Sequence, residues 1–196
     1  MLGIRVQDIR FELHSESFRA RVHTYERHPH VLRTDLISGP CQSLPLVVVL
    51  KLHDDRELFE KEERFYKTFE SERIPQFYGT TTIDSKPALV LSYIEGTPLD
   101  DLDDSYLGSL IDLQTKVLDL MRCLRDSGVI LEDYAPRNFI LNGEALFVVD
   151  FEAWEESPAV QQRWPDDKNL EELLQIRAET IIEKVKDLIE SRIRNR

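Results

Sequence analysis

Apolar and polar residues alternate at a period of two early in the chain, first at Phe11 and Leu13 and then at Phe18, Ala20 and Val22. This spacing predicts two strands joined by the glycine-free turn His14-Ser-Glu-Ser17. Leu46-Val-Val-Val-Leu-Lys-Leu52 predicts a third strand, β-branched and almost continuously apolar, as a strand covered on both faces would be. Lys51 lies near its end. The segment between, Glu26–Ser43, contains His28, Pro29, His30, Gly39 and Pro40 and reads as a loop or irregular connection. From Asp54 to about Glu70 the period changes to three and four, which puts Phe59, Glu62, Tyr66 and Phe69 on one helical face and a carboxylate inside an apolar stripe.

Gln76–Thr82 and Ala88–Tyr93 predict two short strands around the turn Ile83-Asp-Ser-Lys-Pro87. After Gly96 the pattern is mostly helical. Asp100–Asp104 offers N-cap residues, and Leu107, Leu110, Leu113, Val117, Leu120 and Leu124 recur at helical spacing until Gly128. Then come Val129-Ile-Leu131, the polar loop Glu132–Asn138, and a hairpin in which Phe139-Ile-Leu and Ala145–Val149 flank Asn142-Gly143. Asn169–Arg196 predicts an amphipathic helix with Leu170, Leu174, Ala178, Ile181, Val185 and Leu188 on one face, a stripe that must pack on the body of the domain or on a partner.

At 196 residues, 41% hydrophobic and 32% charged, the chain fits one domain rather than a large multidomain enzyme. A formal net charge of −12 argues against nucleic-acid and anionic-membrane partners and fits cationic or metal-bridged ligands. The longest apolar runs, Leu46–Leu50 and Ala145–Val149, are far below the roughly 20 residues a spanning helix needs. The N-terminus lacks a secretory pattern, so the expected location is intracellular, soluble and cytoplasmic. Cys41 and Cys123 are too few for a disulfide framework and are expected to be reduced and buried. His23, His28, His30 and His53 show no metal spacing and receive no role.

One ordered set of polar residues remains: Lys51 on the third strand, Glu62 on the next helix, Asp133 and Asn138 in a polar loop, and Asp150 at a strand end. Taken singly, a strand-end lysine is an ordinary surface residue, and Asp or Asn in a loop is ordinary turn and cap chemistry. Together, Val47-Val-Val-Leu-Lys51, Glu62, Leu91-Ser-Tyr-Ile-Glu-Gly96-Thr-Pro-Leu99, Ile130-Leu-Glu-Asp133-Tyr-Ala-Pro-Arg-Asn138 and Val148-Val-Asp150-Phe-Glu152 resemble the protein-kinase-like fold. The similarity is to its atypical and small-molecule branch, the aminoglycoside phosphotransferases and choline kinases, and it covers roughly residues 9 to 155.

The resemblance implies an α+β, two-lobed fold with a minimal C-terminal helical lobe. Residues 1–91 would form a lobe of antiparallel sheet plus one helix, 92–99 an interlobe linker, and 100–196 the helical lobe. It further implies an ATP-dependent phosphotransferase, with ATP and Mg²⁺ as cofactors and an unidentified hydroxyl of a small molecule or protein as acceptor. In that assignment Lys51 and Glu62 serve the phosphates, Asp133 is the base, Tyr93 and Glu95 in the linker complete the nucleotide site, and Asn138, Asp150 and Glu152 hold metal. The chemistry suits these residue types, because phosphoryl transfer needs charge neutralisation and positioning more than covalent help.

Three features depart from that pattern. His14-Ser-Glu-Ser17 has no glycines to bring bare backbone amides to phosphates. Leu131 stands where such kinases usually carry a scaffolding histidine, and only a short segment follows Asp150, without an evident docking platform or activation segment. These departures support the alternative of a pseudokinase, an interaction module whose protein partner meets the C-terminal helix. Ala153–Asp167, with Trp154, Trp164 and Pro165, is expected to pack beneath the site, where its tryptophans offer stacking surfaces. Asp100–Asp104 reads as a solvated helix start, or as a collector of amines.

Overall fold

Alternation in the opening strands closes into a hairpin of β1 (Ile4–Leu13) and β2 (Glu16–Tyr25), with Phe11 opposite Phe18 and their rings stacked at 5.2 Å. The turn is shorter than the sequence suggests, because Glu16 already pairs with Leu13 and only His14 and Ser15 lie between. Both adopt positive φ (51° and 67°), the left-handed conformation that matches the right-handed twist of a two-residue hairpin. Asp84 and Ser85 (49° and 69°) repeat this turn between β5 (Phe77–Ile83) and β6 (Lys86–Ser92).

The computed structural model describes residues 4–25, 28–39, 44–152, 154–156 and 167–195. The chain is mixed α+β and divides into two units, residues 1–94 and 95–196. In the first unit β3 (His28–Ser38) and β4 (Val47–Leu52) complete an antiparallel sheet of order β1-β2-β3-β4-β6-β5. The strand β3 corrects, over His28–Ser38, the expectation of a loop across Glu26–Ser43, of which residues 26–27 and 40–43 lie outside the described residues. Its histidines and proline crowd the beginning, where pairing with β2 is irregular between Thr24 and Tyr25, and pairing with β4 starts only at Val31. Pro29 therefore removes no ladder hydrogen bond from the regular stretch.

The sheet curls until its two edge strands meet: Thr81 Oγ1 on β5 donates to the Glu12 carbonyl on β1 (2.7 Å), and His14 Nε2 lies 2.8 Å from the Tyr78 carbonyl oxygen. Phe11, Leu13, Phe18, Val22, Leu50 and Val90 fill the inside of the curl. On the other face helix α1 (Arg56–Thr68) packs against β6. Asp55 starts α1 by accepting the amides of Glu57 and Leu58 (2.7 and 3.2 Å), and the helix buries Glu62, Phe65 and Tyr66.

In the second unit the chain enters through Gly96, whose φ of +145° and position 2.5 Å (as a virtual Cβ) from the Leu141 carbonyl exclude any side chain. β7 (Thr97–Pro98) joins a small sheet with β9 (Phe139–Asn142) and β10 (Ala145–Val148). The acidic run caps no long helix: it spans the 3-10 turns Leu99–Asp101 and Asp104–Ser109, and α2 (Leu110–Asp126) begins after them. Leu107 accordingly lies off α2. Gly128, at φ +88°, ends the helix.

The last helix, α3 (Asp167–Arg194), packs on α2 and buries Leu170, Leu174, Ala178, Ile181, Ile182, Val185 and Ile189. Leu188 is exposed and Ile189 is buried instead: at 3.6 residues per turn the two lie on opposite edges of the stripe formed by Leu174, Ala178, Ile181 and Val185, and the Ile189 edge is the covered one. The apolar stripe is thus covered by α2, and a partner of α3 would meet its outer side. Glu171 clips the two helices by accepting Arg122 Nε and Arg125 Nη1, both at 2.9 Å. Cys123 is a free, exposed thiol, contrary to expectation, because it falls on the outer side of α2 between the buried Leu120 and Leu124; Cys41 lies outside the described residues. Trp154 is buried in β11 (Trp154–Glu156), which pairs with β8 (Val129–Leu131), while Trp164 and Pro165 lie outside the described residues. Among the described residues, no helix is long and apolar enough to cross a membrane.

Candidate functional site

Lys51 stands on β4, on the face opposite the Val48 and Leu50 side chains of the curled core. Its neighbour in register on β6 is Leu89, and α1 lies against β6, so a residue two turns into α1 reaches it. That residue is Glu62. Lys51 Nζ lies 3.0 Å from Glu62 Oε1 and 2.8 Å from Oε2. The Lys51 side chain is only 8% exposed and Glu62 is wholly buried, so the pair is taken out of water. Removing two charges from water costs several kcal/mol per ion, and a buried ion pair is therefore a poor way to stabilise a fold.

A third member was missed in the sequence. His53 Nε2 lies 3.2 Å from Glu62 Oε2, with its own side chain 2% exposed. The backbone amide of His53 donates to the Pro87 carbonyl (3.0 Å), which continues the β4 ladder past Leu52. The signal was there, because Lys51 and His53 are two apart and a strand places such residues on one face. Glu62 thus sits between an ammonium and an imidazole.

The strand ladder also relocates the turn expected to face phosphates. Lys51 pairs with Val31 near the start of β3, at the end of the sheet where β2 turns into β3. The His14–Ser15 turn is at the opposite end, where Arg19 pairs with Ser38. Ser15 and Ser17 are therefore far from Lys51 along the strands, and the absence of glycine at that turn does not bear on a phosphate site there. The connection beside Lys51, residues 26–27, lies outside the described residues.

Tyr93, at the end of the first unit, is partly exposed, and the Arg33 guanidinium lies 5.3 Å from its ring centroid, a cation–π contact. Glu95 is exposed and belongs to the second unit.

In the second unit the loop after β8 folds around Asp133. Asp133 Oδ1 accepts the Ala135 amide (3.0 Å), and Oδ2 accepts Asn138 Nδ2 (3.0 Å) with Arg137 Nη2 3.8 Å away. The Ala135 carbonyl accepts the Asn138 amide (2.9 Å), closing the short 3-10 turn Pro136–Asn138. The Val149 amide donates to the Asn138 carbonyl (3.0 Å), so Asp150 follows directly beside Asn138. Asn138 is buried and gives its amide nitrogen to Asp133, which leaves Oδ1 as the face it can turn to a cation. Asp150 Oδ1 accepts the Glu152 amide (3.1 Å), holding the Asp150-Phe-Glu152 turn, with Phe151 buried.

No protein-family model and no curated protein matches the chain. The functional case therefore stands on these two groups of side chains. The first unit offers a buried ammonium positioned by Glu62. The second offers a carboxylate, Asp133, locked by Asn138 and followed at Asp150 and Glu152 by further oxygen donors. All candidate donors in the second unit are oxygens, the hard-ligand set that suits Mg²⁺.

Proposed function

We propose that this protein is a kinase-like phosphotransferase that moves the γ-phosphoryl group of Mg-ATP to a hydroxyl of a small molecule or protein. The observation that carries the reading is the buried Lys51–Glu62 pair on β4 and α1, which orients a cation at a cost to the fold. Lys51 neutralises phosphate oxygens, and Glu62 fixes the direction of its ammonium. Asp133 accepts the proton of the acceptor hydroxyl as the acceptor oxygen bonds to the γ-phosphorus. The bond from that phosphorus to the β–γ bridging oxygen breaks, and ADP leaves with the charge. Asn138 Oδ1, Asp150 and Glu152 would hold Mg²⁺, which would supply charge neutralisation of the phosphates.

A second reading, a pseudokinase scaffold, is favoured by Leu131, a buried apolar side chain two residues before Asp133 that offers it no hydrogen bond. On that reading the partner meets the outer side of α3. Formation of ADP and inorganic phosphate from Mg-ATP, with water taking the phosphoryl group in place of the unidentified hydroxyl, is compared between wild type and Asp133→Asn and separates the two. The phosphotransferase reading expects a rate that falls about 10²- to 10⁴-fold in the variant, the usual worth of a positioned base. Equal rates, or no ADP from either protein, favour the scaffold.

A further inference from the structure

The loop that carries Asp133 is held from a distance by one side chain of α3. Arg177 follows the buried Leu174 by three residues and precedes the buried Ala178, so it emerges at the edge of the packed stripe, and its side chain is only 15% exposed. Its Nη1 donates to the Leu131 carbonyl (2.9 Å), its Nη2 lies 3.5 Å from Glu132 Oε1, and its Cζ sits 4.4 Å from the centroid of the Tyr134 ring. Tyr134 donates its hydroxyl to the same Leu131 carbonyl. Residues 131, 132 and 134 are thus all fixed by Arg177, and the residue they bracket is Asp133. A guanidinium can make these contacts at once because it is planar, with several donors and a face that stacks on an aromatic ring; an ammonium is a point charge and cannot.

We propose that Arg177 is the positioning residue for Asp133: it holds the Leu131 carbonyl on one side and the Tyr134 ring on the other, so that the carboxylate keeps its orientation toward the Ala135 amide and Asn138. The proposal rests on the phosphotransferase reading for its catalytic consequence, but the clamp is measurable without it. Leu131 is apolar and its side chain offers no hydrogen bond; Arg177 supplies the fixing contact from 46 residues further along the chain.

The test is hydrogen exchange followed by mass spectrometry on wild type, Arg177→Met and Arg177→Lys, together with ADP formation. In Arg177→Met, exchange across residues 131–138 is expected to rise about tenfold or more, the size expected for a lost charge-assisted hydrogen bond, while α2 peptides stay as in wild type. The rate at saturating ATP falls about a hundredfold with little change in KM for ATP, since misplacement of a reacting group harms the chemical step. Arg177→Lys restores part of both. A folded Arg177→Met with wild-type exchange at 131–138 overturns the proposal, as does loosening spread equally over α2, which marks a general packing role. If Arg177→Met does not fold, Tyr134→Leu takes its place, removing the ring and hydroxyl from the same clamp; unchanged exchange at 131–138 in that variant overturns the proposal too. Wild type that forms no ADP removes the phosphotransferase reading alone, because the exchange result still decides whether Arg177 holds the Asp133 loop.

Discussion

Cutting one side of the Lys51–Glu62 pair should hurt the first unit far more than replacing both sides. At 2.8 Å and an effective dielectric of about 20, the attraction is about 6 kcal/mol. Desolvating two ions costs several kcal/mol each, so the pair as a whole adds little or nothing to stability. Glu62→Ala takes the carboxylate away from the Lys51 ammonium and the His53 ring and is expected to cost about 3–5 kcal/mol. Lys51→Met combined with Glu62→Leu, which fills the same space with apolar side chains, is expected to fall within about 1 kcal/mol of wild type or above it. Trp154 is buried in the second unit, so its fluorescence would follow the wrong part of the chain. Native-state hydrogen exchange of the β4 and β6 amides reports the first unit directly. The reasoning is refuted if Glu62→Ala costs under about 1 kcal/mol, or if the double variant is as unstable as the single one. The same double variant should lose any response to nucleotide.

Three further outcomes follow from the geometry. Ser85→Gly should raise the stability of the first unit by roughly 1 kcal/mol, because it relieves a left-handed L-residue in the β5–β6 turn, and chemical denaturation read by exchange of β6 checks it. Ser15→Gly should leave any nucleotide-induced rise in melting temperature unchanged, since that turn is at the end of the sheet away from Lys51; a lost response would contradict the ladder. Glu171 is held below its ordinary value of 4.5, chiefly by the hydrogen bond from Arg122. A depressed carboxylate stabilises above its unfolded value and loses that contribution as pH falls through the folded one, so tryptophan-detected stability should drop below about pH 4.5 and Glu171→Gln should flatten that limb. An unchanged acid limb in the variant would show that the α2–α3 clip carries no proton linkage.

Elements with a strong period were readable from the chain: the Phe11 to Val22 hairpin, the stripe around Glu62, and the long C-terminal helix all come from residues whose spacing alone decides which face is buried. The strand β3 was hidden by His28, Pro29 and His30, whose breaker chemistry is confined to the irregular first residues, while Leu32 and Thr34 behind them face the core. Leu107 shows the limit of periodicity, since helical spacing also fits a 3-10 turn that leads into a helix. In the site, residues lying close in sequence were legible as a group, as with Asp133 and Asn138. Long-range partners were not. Arg177 meets Leu131 across 46 residues, and nothing local to a charged helical residue distinguishes it from its solvated neighbours. His53 was the one missed residue with a local signal, its position two beyond Lys51 on a strand. The turn expected to face phosphates, His14–Ser17, lies at the other end of the strands from Lys51, and the reason for the mismatch is related: with β3 read as a loop, that hairpin falls next to the lysine strand in chain order.

The measurement that bears most directly on the phosphotransferase reading is the thermal unfolding midpoint with and without Mg-ATP, in wild type and in Asp150→Ala. A ligand that binds only the native state stabilises it by about 2.7 kcal/mol at a hundred times its dissociation constant. The account predicts an upward shift that requires Mg²⁺ and disappears in Asp150→Ala while the variant's own midpoint without nucleotide stays close to wild type. No shift at millimolar nucleotide, or an equal shift in the variant, contradicts it.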